Sequence, residues 1–347
     1  MIATPSPHVP IHEAWLATTV EAAIDPDLPI VDTHHHLWDR PGARYLLPEF
    51  LADLGAGHRI EATVYVQCRS MYRQTGPDHL RPVGEVEFAN GIAAQAASGL
   101  YGATAVCAAI VGHADLRLGA DVEPVLDALI AAGNGRLRGI RNTTAAHPDP
   151  RIRSNPQPPP EGILLEAGFQ AGAALLGRRR LPLDVWAYHT QLAEVDALVR
   201  ACPDTLIVLD HCGGPLGVGP YAGQRDAVFA AWRDGMARLA PHPNLRVKLG
   251  GLAMRVGGFD FDAWPEAPSS AALAEAWRPT IETTIELFGA TRCMFESNFP
   301  VDKGMCSYGT LWNAFKRLTA GASAEERQAL FSGTACDTYR LEGAAQA

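Results

Sequence analysis

The chain has 347 residues, 47% of them hydrophobic, with 29 Lys and Arg against 38 Asp and Glu, a formal charge of −9 and a pI near 5.7. That length can bury a large core, as one barrel-sized domain or as two ordinary ones, and the acidic balance without a basic face argues against nucleic acid or a membrane surface as partner. The opening residues lack a basic start followed by an apolar block, and no run of about 18 apolar residues occurs, so a cytoplasmic protein is expected.

Residues 1–28 precede the first apolar strand and carry Pro5, Pro7, Pro10 and Trp15. They are expected to form an N-terminal arm, either packed across a barrel bottom or a neighbouring subunit, or loose. From there, short runs rich in β-branched residues alternate with longer helical patterns, the signature of repeated βαβ units around a parallel sheet. Strands are expected at residues 30–34, 62–67, 103–111, 137–141, 183–186, 206–210, 245–249 and 293–296. Helices are expected at 84–98, 121–132, 161–176, 192–201, 226–239, 271–287, 311–318 and 324–332. Eight strands suit a closed (β/α)8 TIM barrel over residues 29–342, followed by a tail at 343–347. Pro41 and Gly42 break the start of the first unit and distort it. Segments 147–160, too proline-rich for a helix or strand, and 257–270 follow strand ends, where barrel enzymes build substrate pockets.

The seven cysteines, Cys68, Cys107, Cys202, Cys212, Cys293, Cys306 and Cys336, include no C-x-x-C pair, so neither a disulfide framework nor a cysteine zinc site is indicated. Cys212 follows His211 directly but is expected to pack rather than react.

Chemistry concentrates at strand ends. In Ile30-Val-Asp-Thr-His-His-His-Leu-Trp38, residues two apart face one side, so His34 and His36 project toward the barrel axis and His35 away. Two converging imidazoles are either half a metal site or a hydrogen-bonded core pair. The strand ending at Asp210 places His211 at the same height. In the eighth strand, Met294, Glu296 and Asn298 share one face, beside His34 and His36 once the barrel closes. Glu296 could accept a hydrogen bond from an imidazole, bind metal, or act as general base on water. Gln67, Arg69, Arg141, His189 and Lys248 lie at or near strand ends as candidate substrate contacts; Arg69 and Arg141 suit a carboxylate, or else form rim salt bridges, and Lys248, inside an apolar strand, needs a partner such as Glu296.

Val-Asp-Thr-His-His-His-Leu-Trp, Arg-Gly-Ile-Arg, Leu-Asp-His-Cys-Gly-Gly-Pro, Val-Lys-Leu-Gly-Gly-Leu and Phe-Glu-Ser-Asn-Phe-Pro, in this order, resemble amidohydrolase-related proteins, and most of all their sugar-lactonase and 2-pyrone-4,6-dicarboxylate lactonase branch. The likeness spans residues 30–341. It implies a distorted TIM barrel, with His34, His36 and His211 at the family's histidine positions, where together they would hold a divalent metal, Zn²⁺ first, unless catalysis is metal-independent. The family's last motif is usually Gly-Ser/Thr-Asp-Trp-Pro, whose aspartate activates the attacking water. Here Glu296 replaces the glycine and Asn298 the aspartate, and an amide cannot be a general base. Glu296 taking over the task, Asp302 reaching in from the loop, or a silent site are the three explanations, the first preferred. The expected function is therefore hydrolysis of a small anionic lactone, catalysed by Glu296, His34, His36, His211 and Asn298, with Asp302 among the substrate contacts. The alternatives are a metal-dependent decarboxylase or C–C hydrolase of an aromatic acid, and a non-catalytic barrel that binds a small acid. The sequence is compatible with a homo-oligomer.

Overall fold

The computed structural model describes residues 7–341. Pro5 and the expected 343–347 tail lie outside the described residues. Eight parallel strands form one sheet in chain order: β1 (Ile30–His35), β2 (Ile60–Val66), β3 (Ala105–Gly112), β4 (Leu137–Asn142), β5 (Leu183–Val185), β6 (Ile207–Leu209), β7 (Leu245–Leu249) and β8 (Cys293–Phe295). Helices connect them, as a parallel sheet requires. β8 returns to β1, where the Asn298 N–H donates to His34 O (2.8 Å) and the His36 N–H to Phe299 O (2.7 Å), nearly closing the barrel.

The strands are buried on both faces because helices cover the outside and side chains fill the inside. Val31, Ala62, Val64, Val66, Ala109, Val111, Val208 and Met294 form the inner cluster, with Tyr339 at its base. The alternation that sends Val208 and Met294 inward carries Asp210 and Glu296 inward one step higher. On β1 a register irregularity between Asp32 and His35 lets Val31 and His34 both face the interior.

The segment around Pro41 is not simply broken. Trp38–Arg40 and Ala43–Tyr45 pair as an antiparallel hairpin, and Leu47–Leu54 forms a helix. Pro41 and Gly42, at φ +73°, are the residue types a tight type II turn demands. The arm follows neither the barrel bottom nor a loose course. It is pinned along the rim leading to the catalytic face: Trp15 Nε1 donates to Trp264 O (2.9 Å), Thr19 Oγ1 to Ala267 O (2.5 Å), and Glu21 accepts from Ser270 N (2.8 Å). Within segment 257–270, Trp264, Ala267 and Ser270 thus anchor the arm, while Gly257, Gly258 and Phe259 line a cavity of about 470 Å³ separate from the one described below. No helix among the described residues is long and apolar enough to cross a membrane.

Candidate active site

At the C-terminal ends of the strands lies a cavity of about 280 Å³. His36, Gln67, Arg69, Arg141, His211 and Asn298, all singled out in the sequence, line it. Beneath them sits a buried charge network. Glu296 is fully buried and lies between two imidazoles: its Oε1 accepts from the His211 ring Nδ1–H (2.6 Å) and the His211 backbone N–H (3.1 Å), and its Oε2 lies 2.8 Å from His34 Nδ1. Burial alone would raise its pKa; the adjoining His211 and His34 overcome that and hold it down to about 2. Because both oxygens face imidazoles and neither lines the cavity, Glu296 does not meet water there directly, the arrangement its reading as a general base required.

Lys248 is also removed from the cavity. Its ammonium meets Asp184 Oδ2 (2.6 Å) and Asp210 Oδ1 (3.3 Å), not Glu296, and all three groups are fully buried. The two carboxylates raise the Lys248 pKa against the opposing effect of burial, so this lysine props the floor rather than binding substrate. His189, packed on Tyr221, and Asp302 are likewise outside the cavity wall. Asp302 accepts from Asn298 Nδ2 (2.7 Å) and from the Ala253 N–H (3.2 Å). It fixes the amide so that the Asn298 carbonyl oxygen is left for the cavity, and burial pushes its own pKa well up.

Local backbone shape serves the same end. His211, Cys212, Gly213 and Gly214 all have positive φ, and Asn298 does too. Such a run of left-handed residues is costly and persists where surroundings over-determine it. Gly250 and Gly251 make room underneath: a Cβ on Gly251 would sit 2.4 Å from His211 Nδ1, and one on Gly250 2.5 Å from Glu296 Cγ. Cys212 is buried with its thiol pKa pushed well up by burial, in keeping with packing.

His34 and His36 bring their Nε2 atoms to 3.3 Å of one another. The His36 Nδ1–H donates to Val66 O (2.7 Å) and His34 Nδ1 faces Glu296, so both Nε2 atoms carry lone pairs directed at one point. Burial, and then Lys248, lowers the His34 pKa to about 4, which keeps the ring neutral. Two Zn–N bonds of about 2.0–2.1 Å in tetrahedral geometry separate their nitrogens by about 3.3 Å. The donor pair therefore fits a divalent cation. Arg141 Nη1, 3.1 Å from His34 Nε2, occupies part of the same space and pairs through Nε with Asp210 Oδ2 (3.4 Å). Three buried carboxylates, Asp184, Asp210 and Glu296, have among the described residues only Lys248 and Arg141 beside them as fixed cations. One further positive charge, a proton or a metal, balances the network.

His8, Trp38, Arg40, Trp186 and Met254 also line the wall, and the sequence did not single them out as site residues. Trp38 stacks with His8 and His36, and the Arg40 guanidinium lies 3.9 Å over its ring. The proline-rich segment 147–160 reaches the cavity through Ser154, Asn155, Pro156 and Gln157, and Gln157 Oε1 accepts from Arg69 Nη1 (2.9 Å).

The profile of the amidohydrolase family matches residues 31–341. Protein y4mH of Sinorhizobium fredii is 32% identical, covering 91% of this chain and 99% of its own. An L-fucono-1,5-lactonase of Burkholderia multivorans is 28% identical over 91% of this chain and 98% of its own. A Burkholderia multivorans amidohydrolase, solved with HEPES and with zinc, is 27% identical with a TM-score of 0.68, over 90% of this chain and 99% of that one.

Proposed function

The chain belongs to the amidohydrolase family and is a hydrolase, and from that premise we propose that it opens a small anionic lactone by adding water to the ring carbonyl. The observation that carries the reading is the Glu296–His211 pair under a cavity walled by Arg40, Arg69 and Arg141. A volume near 280 Å³ stands at the low end of ligand pockets, which run about 300–1,000 Å³, and suits a molecule of one ring. The arginines supply forked donors for a carboxylate. The lactonase relative supports the substrate class.

In this reading Glu296 accepts the His211 Nδ1–H and fixes the tautomer whose Nε2 has a lone pair toward the cavity, the division of labour of a carboxylate–imidazole base. His211 Nε2 takes a proton from water as the water oxygen bonds to the carbonyl carbon. Arg141 faces the oxygen on which negative charge develops. The bond from that carbon to the ring oxygen then breaks, the proton passes from His211 to the departing oxygen, and a hydroxy acid results. Asn298, its amide nitrogen tied to Asp302, offers a carbonyl oxygen that accepts from the water or from a substrate hydroxyl. His34 and His36 would hold a divalent cation, zinc first, which when bound supplies Lewis-acid polarisation of the carbonyl.

Glu296→Gln should lower kcat by about 10³–10⁴-fold with KM near unchanged, measured as acid release from a panel of sugar lactones and carboxylated lactones. Unchanged kinetics would remove the Glu296–His211 pair from the mechanism. No acid release from any lactone by the native protein, with CO₂ released from an aromatic acid instead, would replace lactonase by decarboxylase. Metal content separates the imidazoles: His34→Ala with His36→Ala should empty the protein of zinc or manganese by elemental analysis, and His211→Asn should keep it. Metal lost equally in both variants would make His211 a ligand and not the base.

A further inference from the structure

A second cavity, of about 690 Å³, opens at the opposite end of the barrel, where β2, β3 and β4 begin. We infer that it is a binding site for a small polyanion, an organic molecule bearing phosphate or several carboxylates, gripped by Arg59, Arg136, Arg138 and Arg340.

The wall is built from the strand starts. Arg136 and Arg138 flank Leu137, so they stand on one side of the incoming β4. Arg59 immediately precedes Ile60, and Arg340 follows the last helix (Thr334–Tyr339). Glu61 is the single acid among the described lining residues, and it pairs with Arg59 (Nη2 to Oε1, 2.6 Å). Among the described residues, Arg136 and Arg340 bond only neutral acceptors, Asn90 Oδ1 (2.8 Å) and Arg180 O (2.6 Å), and the latter contact adds a fifth arginine beside the group. The Arg138 Nε is buried without an acceptor among the described residues. In a chain of net charge −9, the described lining residues of this pocket carry three positive charges in excess.

Such clustering repels itself, and the effect is felt: burial together with Arg138 and Arg180 lowers the pKa of Arg340. Guanidinium groups held against their mutual repulsion, with a donor left open, match the forked geometry of phosphate and carboxylate oxygens. The floor is different in kind. Ala62, Ala103, Ala105 and Ala108 are truncated side chains that leave volume and present an apolar surface, with Ile60 and Leu341 beside them. A basic rim over an apolar floor accommodates a ligand with an organic body and an anionic end. The catalytic cavity lies at the other end of the strands, so this ligand is not the substrate of the hydrolysis.

Calorimetric titration of the full chain with pyrophosphate, and separately with citrate, tests the site. At least one probe should bind saturably with a Kd below about 1 mM, and Arg138→Ala with Arg340→Ala should weaken it at least about ten-fold. Arg69→Ala with Arg141→Ala at the catalytic face should leave that binding intact. Should the first double variant fail to fold, the native protein answers through phenylglyoxal labelling: the bound probe should protect Arg138 and Arg340 in peptide mass maps. No saturable binding by either probe, an affinity unmoved by the Arg138 and Arg340 changes, loss of binding in the catalytic-face variant instead, or labelling without protection would each overturn the inference.

Discussion

Asn298 is the residue at which this chain departs most from the pattern it resembles, and its neighbour explains why an aspartate there would be out of place. Asp302 receives the Asn298 amide N–H at 2.7 Å within a fully buried setting. Asn298→Asp would set two carboxyl groups against each other, and they could coexist only by sharing a proton. Burial already raises the pKa of Asp302, and the added carboxylate raises it further. A group whose folded pKa lies above its unfolded value gives stability that is complete at low pH and lost as pH rises through the folded pKa. Asn298→Asp should therefore cost about 1–3 kcal/mol at pH 8 and less at pH 5, read from urea melts at the two pH values, and Asp302→Asn added to it should recover most of the loss. A penalty independent of pH would mean that the pair does not share a proton. The legibility of the site follows the same logic. His34, His36, His211, Arg141 and Glu296 could be placed toward one face because each stands at the end of an apolar strand, and alternation set His34 with His36 and Glu296 with Met294 on one side. The partners of Lys248 were not, since Asp184 reaches it from a strand 64 residues away, and sequence periodicity carries no information about which strand tips meet across a barrel.

Between residues and fold stands the turn from His211 to Gly214, facing Gly250 and Gly251. The turn aims one imidazole, and the glycines of the next strand end give its ring somewhere to lie. Gly251 has φ +64°, and a Cβ there would fall 2.4 Å from His211 Nδ1. Gly251→Ala should cost about 2–5 kcal/mol from left-handed strain and overpacking together. It should also lower kcat more than it raises KM, because the ring that moves is the proposed base. Thermal melts and steady-state kinetics on one preparation would check both, and a variant with native Tm and native kcat would show that His211 tolerates displacement. All eight strands were readable as elements, even those of three residues, because each is an apolar run set between helical patterns. The Trp38–Tyr45 hairpin was not. Pro41 and Gly42 signal a turn, but three-residue arms are too short to display a period of two, so a break was the only pattern visible there.

Across the whole molecule, the arm ties the catalytic face to the barrel's flank. Trp15, Thr18, Thr19 and Glu21 bond to segment 264–270, while Asn313, on the helix after β8, accepts from the Ile24 N–H at 2.7 Å. These anchors leave the preceding residues to carry His8 onto Trp38, with ring centroids 5.8 Å apart and planes 10° from parallel. Composition alone left the arm's course open, because prolines and a single tryptophan specify an apolar contact without specifying the surface that receives it. Removing residues 1–12 spares every anchor named here and takes away one wall of the cavity. The shortened chain should keep its barrel, lose little Tm, and show KM raised about ten-fold, a loss of about 1.4 kcal/mol in substrate binding. His8→Ala should reproduce most of that rise with the arm in place, since the stacked imidazole and not the backbone covers Trp38. If the truncation raises KM and His8→Ala does not, the arm acts by shaping the hairpin under Trp38 and not through its histidine; if neither moves KM, the substrate sits deeper, against Arg141 and His211, and the arm serves stability alone.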